Sequence, residues 1–222
     1  HYLGEIDDIE GDILGASRRF VKSYKTTKEL LARDPNNPDR IFEHAQSAFW
    51  VGYMPHRSGD NATALPYMKE YNDLADRLIA IDPNNEDWRM ESHYGNAAIG
   101  AVTTDEDPVF ALPYHLKATS LIENIAVKHP DDPYYQLALV NQYNWVSATY
   151  LLTADLITAR TYRDKSTDII NDLLESNPLD TGMLPRWLSV NQIRIMQRCR
   201  RETVKLAMDN GELPFEQRGR IR

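Results

Sequence analysis

Hydrophobic residues recur along the chain at the spacing of amphipathic helices. Leu74, Leu78 and Ile81 stand at i, i+4 and i+7, and Leu121 and Ile125 continue the pattern in a later segment. Sustained alternation of apolar and polar residues, which would predict strands, is nearly absent. Because a lone amphipathic helix gains little stability in water, each apolar stripe must pack against a neighbouring helix. The pattern predicts an all-α protein.

The predicted helices form pairs. The first helices of the pairs run over residues 38–56, 86–102, 133–151 and 184–207. The second helices run over residues 62–81, 108–128 and 155–175, and residues 12–33 form the second helix of an incomplete leading pair. Several starts are marked by an Asx residue followed by proline, as in Asn37-Pro38, Asp107-Pro108 and Asp132-Pro133, where the Asx oxygen caps the helix. Asn61 and Thr153 are weaker cap candidates.

One local pattern, an apolar run that ends in a polar residue and proline, occurs four times. Its prolines are Pro35, Pro83, Pro130 and Pro178, which are 48, 47 and 48 residues apart. A fixed period of this size predicts stacked copies of one supersecondary unit. Seventeen residues after the first three prolines stand Gly52, Gly100 and Ser147. We expect these small residues to let neighbouring helices approach closely. The repeats predict a helical domain over residues 12–207, between an acidic segment, 1–11, and a basic tail, 208–222.

Two stretches carry a resemblance to a known family. Residues 30–35 followed by 45–53, and residues 78–83 followed by Trp88 and 96–100, resemble tetratricopeptide repeats. The period of 47–48 residues departs from the 34 of that family, so HEAT-like or other α-solenoid pairings remain alternatives. The resemblance implies a right-handed α-solenoid of about four long antiparallel helix pairs, of the kind attached to bacterial multidomain signalling proteins.

The net charge of the chain limits the classes of partner that it is expected to bind. The 222 residues carry a formal charge of −8, which disfavours binding to nucleic acid or to an anionic membrane surface. No run of apolar residues is long enough for a membrane-spanning helix, and no signal peptide is predicted at the start. Cys199 is the single cysteine, so no disulfide forms within the chain. We expect a cytoplasmic protein.

Motifs of catalysis are missing from the sequence. It holds no glycine-rich phosphate loop, no His-Glu-x-x-His and no Cys-x-x-Cys, and the six histidines lack the spacing of metal ligands. His44 and His93 fall in similar registers of successive first helices, where a zinc or catalytic site is one interpretation and packed histidines are the other. We expect a protein that is not an enzyme and that needs neither metal nor cofactor.

The resemblance places a binding groove along the first helices. By resemblance to the family, the side chains 11 and 14 residues after each repeat proline are expected to face that groove. They include Gln46, Phe49, Tyr94, Asn141, Asn144 and Gln192. Carboxamides can pair with both the N–H and the C=O of an extended peptide backbone. The groove residues are therefore candidates for holding a peptide. The alternative is that they bond to one another or to loop backbone.

A basic stripe lies on the last predicted helix. It consists of Arg194, Arg198, Arg201 and Lys205, at i, i+4, i+7 and i+11. One interpretation is a solvated terminal helix, which solenoids require. The other is a surface for an anion or an acidic partner, or weak homo-oligomerisation between the acidic and basic ends of the chain.

The sequence favours a non-catalytic scaffold that binds a protein or peptide, in the role of a regulatory module of a larger signalling protein. The alternative is a sensor domain that binds a small molecule or short peptide and switches an attached effector. An enclosed pocket lined by Trp50, Tyr94, Tyr143 and Trp145 would favour the sensor, and an open groove would favour the scaffold.

Overall fold

The computed structural model of the chain describes residue 4 and residues 11–176. This part of the chain forms seven α-helices and contains no strand. The helices are α1 (Ile13–Arg33), α2 (Pro38–Arg57), α3 (Asn61–Ile81), α4 (Glu86–Thr103), α5 (Pro108–Ala126), α6 (Pro133–Leu152) and α7 (Leu156–Ser176). The all-α prediction is confirmed for the described residues, and the predicted helix 184–207 lies outside them.

Side-chain caps fix where the helices begin. Asn37 Oδ1 accepts hydrogen bonds from the backbone N–H groups of Asp39 and Arg40 at 3.0 and 3.3 Å. Asp107 and Asp132 cap their helices in the same way, as the Asx-Pro pairs predict. The weaker candidates Asn61 and Thr153 are wrong by one or two residues. The capping oxygens there come instead from Asp60, which accepts from Thr63 N, and Asp155, which accepts from Thr158 N.

Consecutive helices pack against each other from α1 to α5. One core cluster joins α1, α2 and α3, and its buried members are Leu31, Ile41, Ala45, Ala48, Tyr71, Leu74 and Leu78. A second joins α3 and α4 through Ala64, Met68, Ile99 and Val102. Leu74 and Leu78, from the apolar stripe of α3, are therefore core residues.

The chain divides into two compact units, residues 1–135 and 136–222. The boundary falls in the first turn of α6. In the second unit, the described residues build a small core in which Leu151 of α6 and Ala159 of α7 are buried. Asn144 and Ser147 of α6 also bond to α7 within this unit.

The small residues 17 positions after the repeat prolines each meet the following helix. A Cβ atom built on Gly52 would lie 2.9 Å from Tyr67 Cβ of α3, and one on Gly100 would lie 2.5 Å from the His115 ring of α5. Ser147 Oγ donates a hydrogen bond of 2.8 Å to the carbonyl oxygen of Ala159. The expected close approach is present at all three positions.

Substitution of Gly100 by alanine is expected to lower the free energy of unfolding by about 2 kcal/mol, because the new methyl group overpacks the His115 ring. This is opposite in sign to the gain of about 1 kcal/mol that Gly→Ala gives in an unconstrained helix. Urea unfolding followed by circular dichroism measures the difference. In a double-mutant cycle with His115→Ala, the two costs should not add, since the second change removes the clash. Additive costs would contradict this explanation.

Candidate functional site

A partly open cleft lies in the first unit, where the beginnings of three helices meet. Its volume is about 380 Å³, within the usual range of ligand sites. The lining residues are Pro38, Asp39 and Phe42 of α2, Asp87, Trp88, Met90, Glu91 and Tyr94 of α4, and Tyr134 and Tyr135 from the start of α6. All of them belong to residues 1–135.

Equivalent positions of the sequence repeat supply this lining. Asp39, Asp87 and Tyr134 each stand four residues after a repeat proline, and Phe42 and Met90 stand seven residues after one. Asx caps start α2, α4 and α6 two residues after a repeat proline in each case. First-turn residues of all three helices line the cleft. The cleft lining therefore comes from three helices rather than from an irregular loop.

Aromatic rings form much of the cleft surface. Tyr94 and Tyr134 share a hydrogen bond of 2.6 Å between their hydroxyl oxygens. The rings of Tyr134 and Tyr135 meet edge to face, with centroids 5.1 Å apart. Burial raises the pKa of Tyr94, and the hydrogen bond to Tyr134 adds to the rise, so the phenol is neutral. Tyr134 retains 46% exposure, and Phe42 is also accessible from solvent.

Three carboxylates line the same cleft. Asp39 and Asp87 lie in the first turns of α2 and α4. Glu91 lies one turn further along α4 than Asp87. Among the residues that the structure describes, no lysine or arginine pairs with any of the three, and no basic side chain lines the cleft. The lining is therefore acidic as well as aromatic.

Glu91 is the most buried carboxylate of this group. Its Oε2 accepts two hydrogen bonds of 2.6 Å, one from Gln46 Nε2 and one from Tyr71 Oη. Burial raises the pKa of Glu91, these hydrogen bonds oppose the rise, and the negative charge of Asp87 adds to it. A cation in the cleft would relieve the unfavourable environment of the ionised carboxylate.

Three of the predicted groove residues lie in the first unit. Tyr94 lines the cleft, and Gln46 bonds to the cleft carboxylate Glu91. Phe49 belongs to an aromatic cluster, where it stacks on Tyr53 at 5.9 Å and contacts Trp50 edge to face at 5.4 Å. The structure thus brings Gln46 and Tyr94 to one site, and Phe49 to a neighbouring core.

The remaining predicted residues lie elsewhere. In the second unit, Asn144 is buried and its Oδ1 accepts a hydrogen bond of 3.1 Å from Ser166 Oγ, while Asn141 is partly exposed. The amide oxygen of Asn144 is thus used within the fold. Gln192 and the basic stripe, Arg194, Arg198, Arg201 and Lys205, lie outside the described residues.

Sequence reasoning missed most of the cleft. The lining residues that it did not identify include Asp39, Phe42, Asp87, Met90, Glu91, Tyr134 and Tyr135. The signal was present, because carboxylates and aromatic residues recur four to eight positions after the repeat prolines. The prediction used only positions 11 and 14, which lie one to three turns further along each first helix.

A second polar cluster contains a hydroxyl, an imidazole and a carboxylate in series, which is the arrangement of catalytic groups found in acyl-transfer enzymes. Thr27 Oγ1 lies 2.9 Å from His44 Nδ1, and His44 Nε2 lies 3.2 Å from Glu70 Oε1. His44 is only 1% exposed, however, and the cleft does not include these residues. The hydrogen bonds from His44 and Tyr24, together with the positive charge of Lys28, hold the pKa of Glu70 at about 2 despite its partial burial. The cluster is best explained as a packed network that joins α1, α2 and α3.

His44 and His93 do not share a site. His93 donates from Nδ1 to the carbonyl oxygen of Ala118 at 3.0 Å, whereas His44 contacts Thr27 and Glu70. The described residues include no group of three or more His, Cys, Asp or Glu side chains placed to hold a metal ion. Among the same residues, no helix combines the length and apolar character needed to cross a bilayer.

Comparison of the chain with models of known protein families gives no match. Comparison with curated proteins likewise identifies no significantly similar sequence. The site must therefore be interpreted from its own chemistry.

Proposed function

We propose that this protein is a non-catalytic binding module, a tetratricopeptide-like α-solenoid whose first helices form a groove for an extended segment of a partner protein. The cleft at the start of α2, α4 and α6 is the part of that groove which anchors the partner. The observation that carries the proposal is that equivalent repeat positions, such as Asp39, Asp87 and Tyr134, line one cleft.

The regular packing of the helix pairs supports the solenoid form. Gly52, Gly100 and Ser147 occupy one repeat register, and each meets the helix that follows it. The second helices also carry a buried small residue four positions after each capping aspartate, namely Ala64, Ala111 and Ala159. A stack of such pairs buries the apolar stripes and leaves a continuous surface for a partner. We place the module in a larger signalling protein as its partner-recruiting part.

The alternative, a sensor domain for a small molecule, draws on the volume of the cleft. Against it, the residues named for an enclosed sensor pocket do not meet in the cleft. Trp50 stacks on Phe20 with ring centroids 5.0 Å apart, and Tyr94 alone of the four lines the cleft. The partly open form favours a peptide side chain over a fully enclosed ligand.

A peptide array tests the proposal directly. Purified protein is applied to an array of short peptides, and selected peptides are titrated while the fluorescence of the protein's tryptophans is followed, since Trp88 lines the cleft. The double substitution Phe42→Ala and Tyr134→Ala is expected to weaken binding of the selected peptides by about tenfold or more, because central aromatic anchors dominate interface energies.

The matched control removes exposed apolar side chains elsewhere. Val109 and Val127 are 73% and 79% exposed and lie outside the cleft, so Val109→Ala with Val127→Ala should leave binding unchanged. If no peptide binds, or if both double variants bind as the unchanged protein does, the proposed function is wrong. Binding of free small cations without any peptide would favour the sensor.

A further inference from the structure

We propose that the cleft recognises an arginine side chain of its partner, with the guanidinium group at Asp39, Asp87 and Glu91 and the alkyl chain against the surrounding aromatic rings. This inference rests on the proposed function, which it makes specific by naming the chemical class of ligand.

Charge complementarity is the first support. Asp39, Asp87 and Glu91 face a cleft that contains no basic side chain, and none of the three has a lysine or arginine partner among the described residues. Ion pairs between side chains satisfy other carboxylates of the first unit, as Lys117 does for Asp76 and Lys128 for Glu86. The cleft acids therefore have the charge that a basic ligand would neutralise, and the net charge of −8 would attract such a ligand from solution.

The helix starts around the cleft do not offer an anion site. Asn37 Oδ1 accepts from two backbone N–H groups of the first turn of α2, and Asn85 Oδ1 accepts from Trp88 N at the start of α4. In these caps, the backbone N–H groups that would otherwise bind a phosphate or carboxylate already donate to the Asn side chains. An acidic peptide would thus meet three carboxylates without compensating donors.

The aromatic lining favours arginine over lysine. A guanidinium group is planar, weakly hydrated and able to stack on aromatic faces, whereas an ammonium group is compact and strongly hydrated. Phe42, Trp88 and Tyr134 offer ring surfaces beside the carboxylates. Planar donors also match carboxylate oxygens in pairs, which adds geometric specificity. The chain already places a cation over aromatic rings in its second unit, where Lys165 Nζ lies 5.2 Å from the Tyr143 ring centroid and 5.1 Å from that of Tyr162.

The experiment uses four synthetic peptides of Ser and Gly that differ at one central residue: arginine, lysine, citrulline or glutamate. Citrulline keeps the shape of arginine closely but lacks the charge, because a carbonyl oxygen replaces one NH2 group of the guanidinium. Each is titrated into the isotope-labelled full chain, and backbone amide shifts are followed by nuclear magnetic resonance. The arginine peptide should shift the amides of Asp39, Asp87 and Glu91 and bind about tenfold or more tightly than the citrulline peptide, since charge-assisted hydrogen bonds are about twice as strong as neutral ones. The lysine peptide should be intermediate, and the glutamate peptide should not bind.

Substitution of the cleft carboxylates then tests whether the arginine peptide binds in the cleft. Asp39→Asn with Asp87→Asn should weaken binding of the arginine peptide by about tenfold or more, as expected for loss of charge-assisted hydrogen bonds at the guanidinium. The control Asp73→Asn with Asp131→Asn removes the same net charge at exposed sites outside the cleft and should have little effect. Repeating the titrations in higher salt should weaken the arginine peptide more than the citrulline peptide.

The outcomes separate this inference from the proposed function. If citrulline binds as well as arginine, or if the control pair weakens binding as much as the cleft pair, the arginine site is wrong while a peptide groove still stands. If array peptides bind at the cleft but the arginine peptide does not, the ligand class is likewise wrong. If neither the array nor the arginine peptide binds at the cleft, both proposals fail.

Discussion

Replacement of Phe20 by alanine is expected to lower the free energy of unfolding of the first unit by about 3–5 kcal/mol, the usual cost of removing a buried aromatic ring. Phe20 is 0% exposed and stacks on Trp50 with an interplanar angle of 9°. It contacts a cluster that includes Ala16, Val51 and Met54, and this cluster attaches α1 to α2. Urea unfolding measures the loss.

The position of Phe20 also predicts where the loss appears first. Among the helices that the structure describes, α1 is the first of the packed series, and it packs against α2. Amide hydrogen exchange should therefore accelerate in α1 before it accelerates in α3 and α4. Val21→Ala is the matched control, because Val21 follows Phe20 in the same helix and is 39% exposed rather than buried; it should cost less than about 1 kcal/mol. Equal losses for the two variants would show that the cluster does not hold α1 in place.

The helices themselves could be predicted from the sequence because their starts and apolar stripes are local features. The predicted segment 12–33 corresponds to α1 (Ile13–Arg33), and the predicted segment 38–56 to α2 (Pro38–Arg57). Asn37 and Asp107 provide visible caps, since an Asx-Pro pair supplies an acceptor and a residue that needs no donor. The close approach at Gly100 could also be anticipated, because small residues recur at one register.

The candidate site could be predicted only in part. Tyr94 was identified from its register, but Asp39, Asp87 and Glu91 were not. A charge in the first turn of a helix, such as Asp39 or Asp87, usually interacts with the helix dipole and solvent. Recurrence after the repeat prolines therefore marks these residues but does not by itself distinguish a cleft carboxylate from an ordinary one. The distinction depends on which neighbouring helix covers the residue. That information is a property of the packing, as the bonds of Gln46 and Tyr71 to Glu91 show.

The histidines illustrate the same limit. The sequence placed His44 and His93 in similar registers, and it did not single out His115. In the structure, His93 and His115 are both buried between helices. His93 bonds to the Ala118 carbonyl oxygen, and His115 Nε2 lies 2.8 Å from Thr104 Oγ1. Burial lowers the pKa of His93 to about 4 and that of His115 to about 3, although a backbone hydrogen bond opposes each shift. Because both pKa values are lowered in the folded protein, we expect the stability of the fold to be markedly sensitive to acid.

The free energy of unfolding is expected to fall by about 3 kcal/mol as the pH is lowered from about 6.5 to about 5, because the unfolded chain binds protons at His93 and His115 before the folded chain does. Both folded pKa values lie below the unfolded value of about 6.5. The stabilisation is therefore complete above that pH, and it is lost progressively as the pH falls towards the folded values. Urea unfolding at a series of pH values measures the slope.

Single substitutions assign the slope to these two residues. His93→Gln and His115→Gln should each reduce the slope below about pH 6 by roughly half, since each removes one of the two protons taken up on unfolding. Glutamine keeps a side-chain N–H donor for the hydrogen-bond partner of each imidazole. At neutral pH the variants should therefore remain folded enough to measure. A nuclear magnetic resonance titration of the unchanged protein provides the second measurement, in which neither ring should protonate before the protein unfolds. If the unchanged protein and both variants share one slope, acid lability has another origin and the two buried imidazoles do not control it.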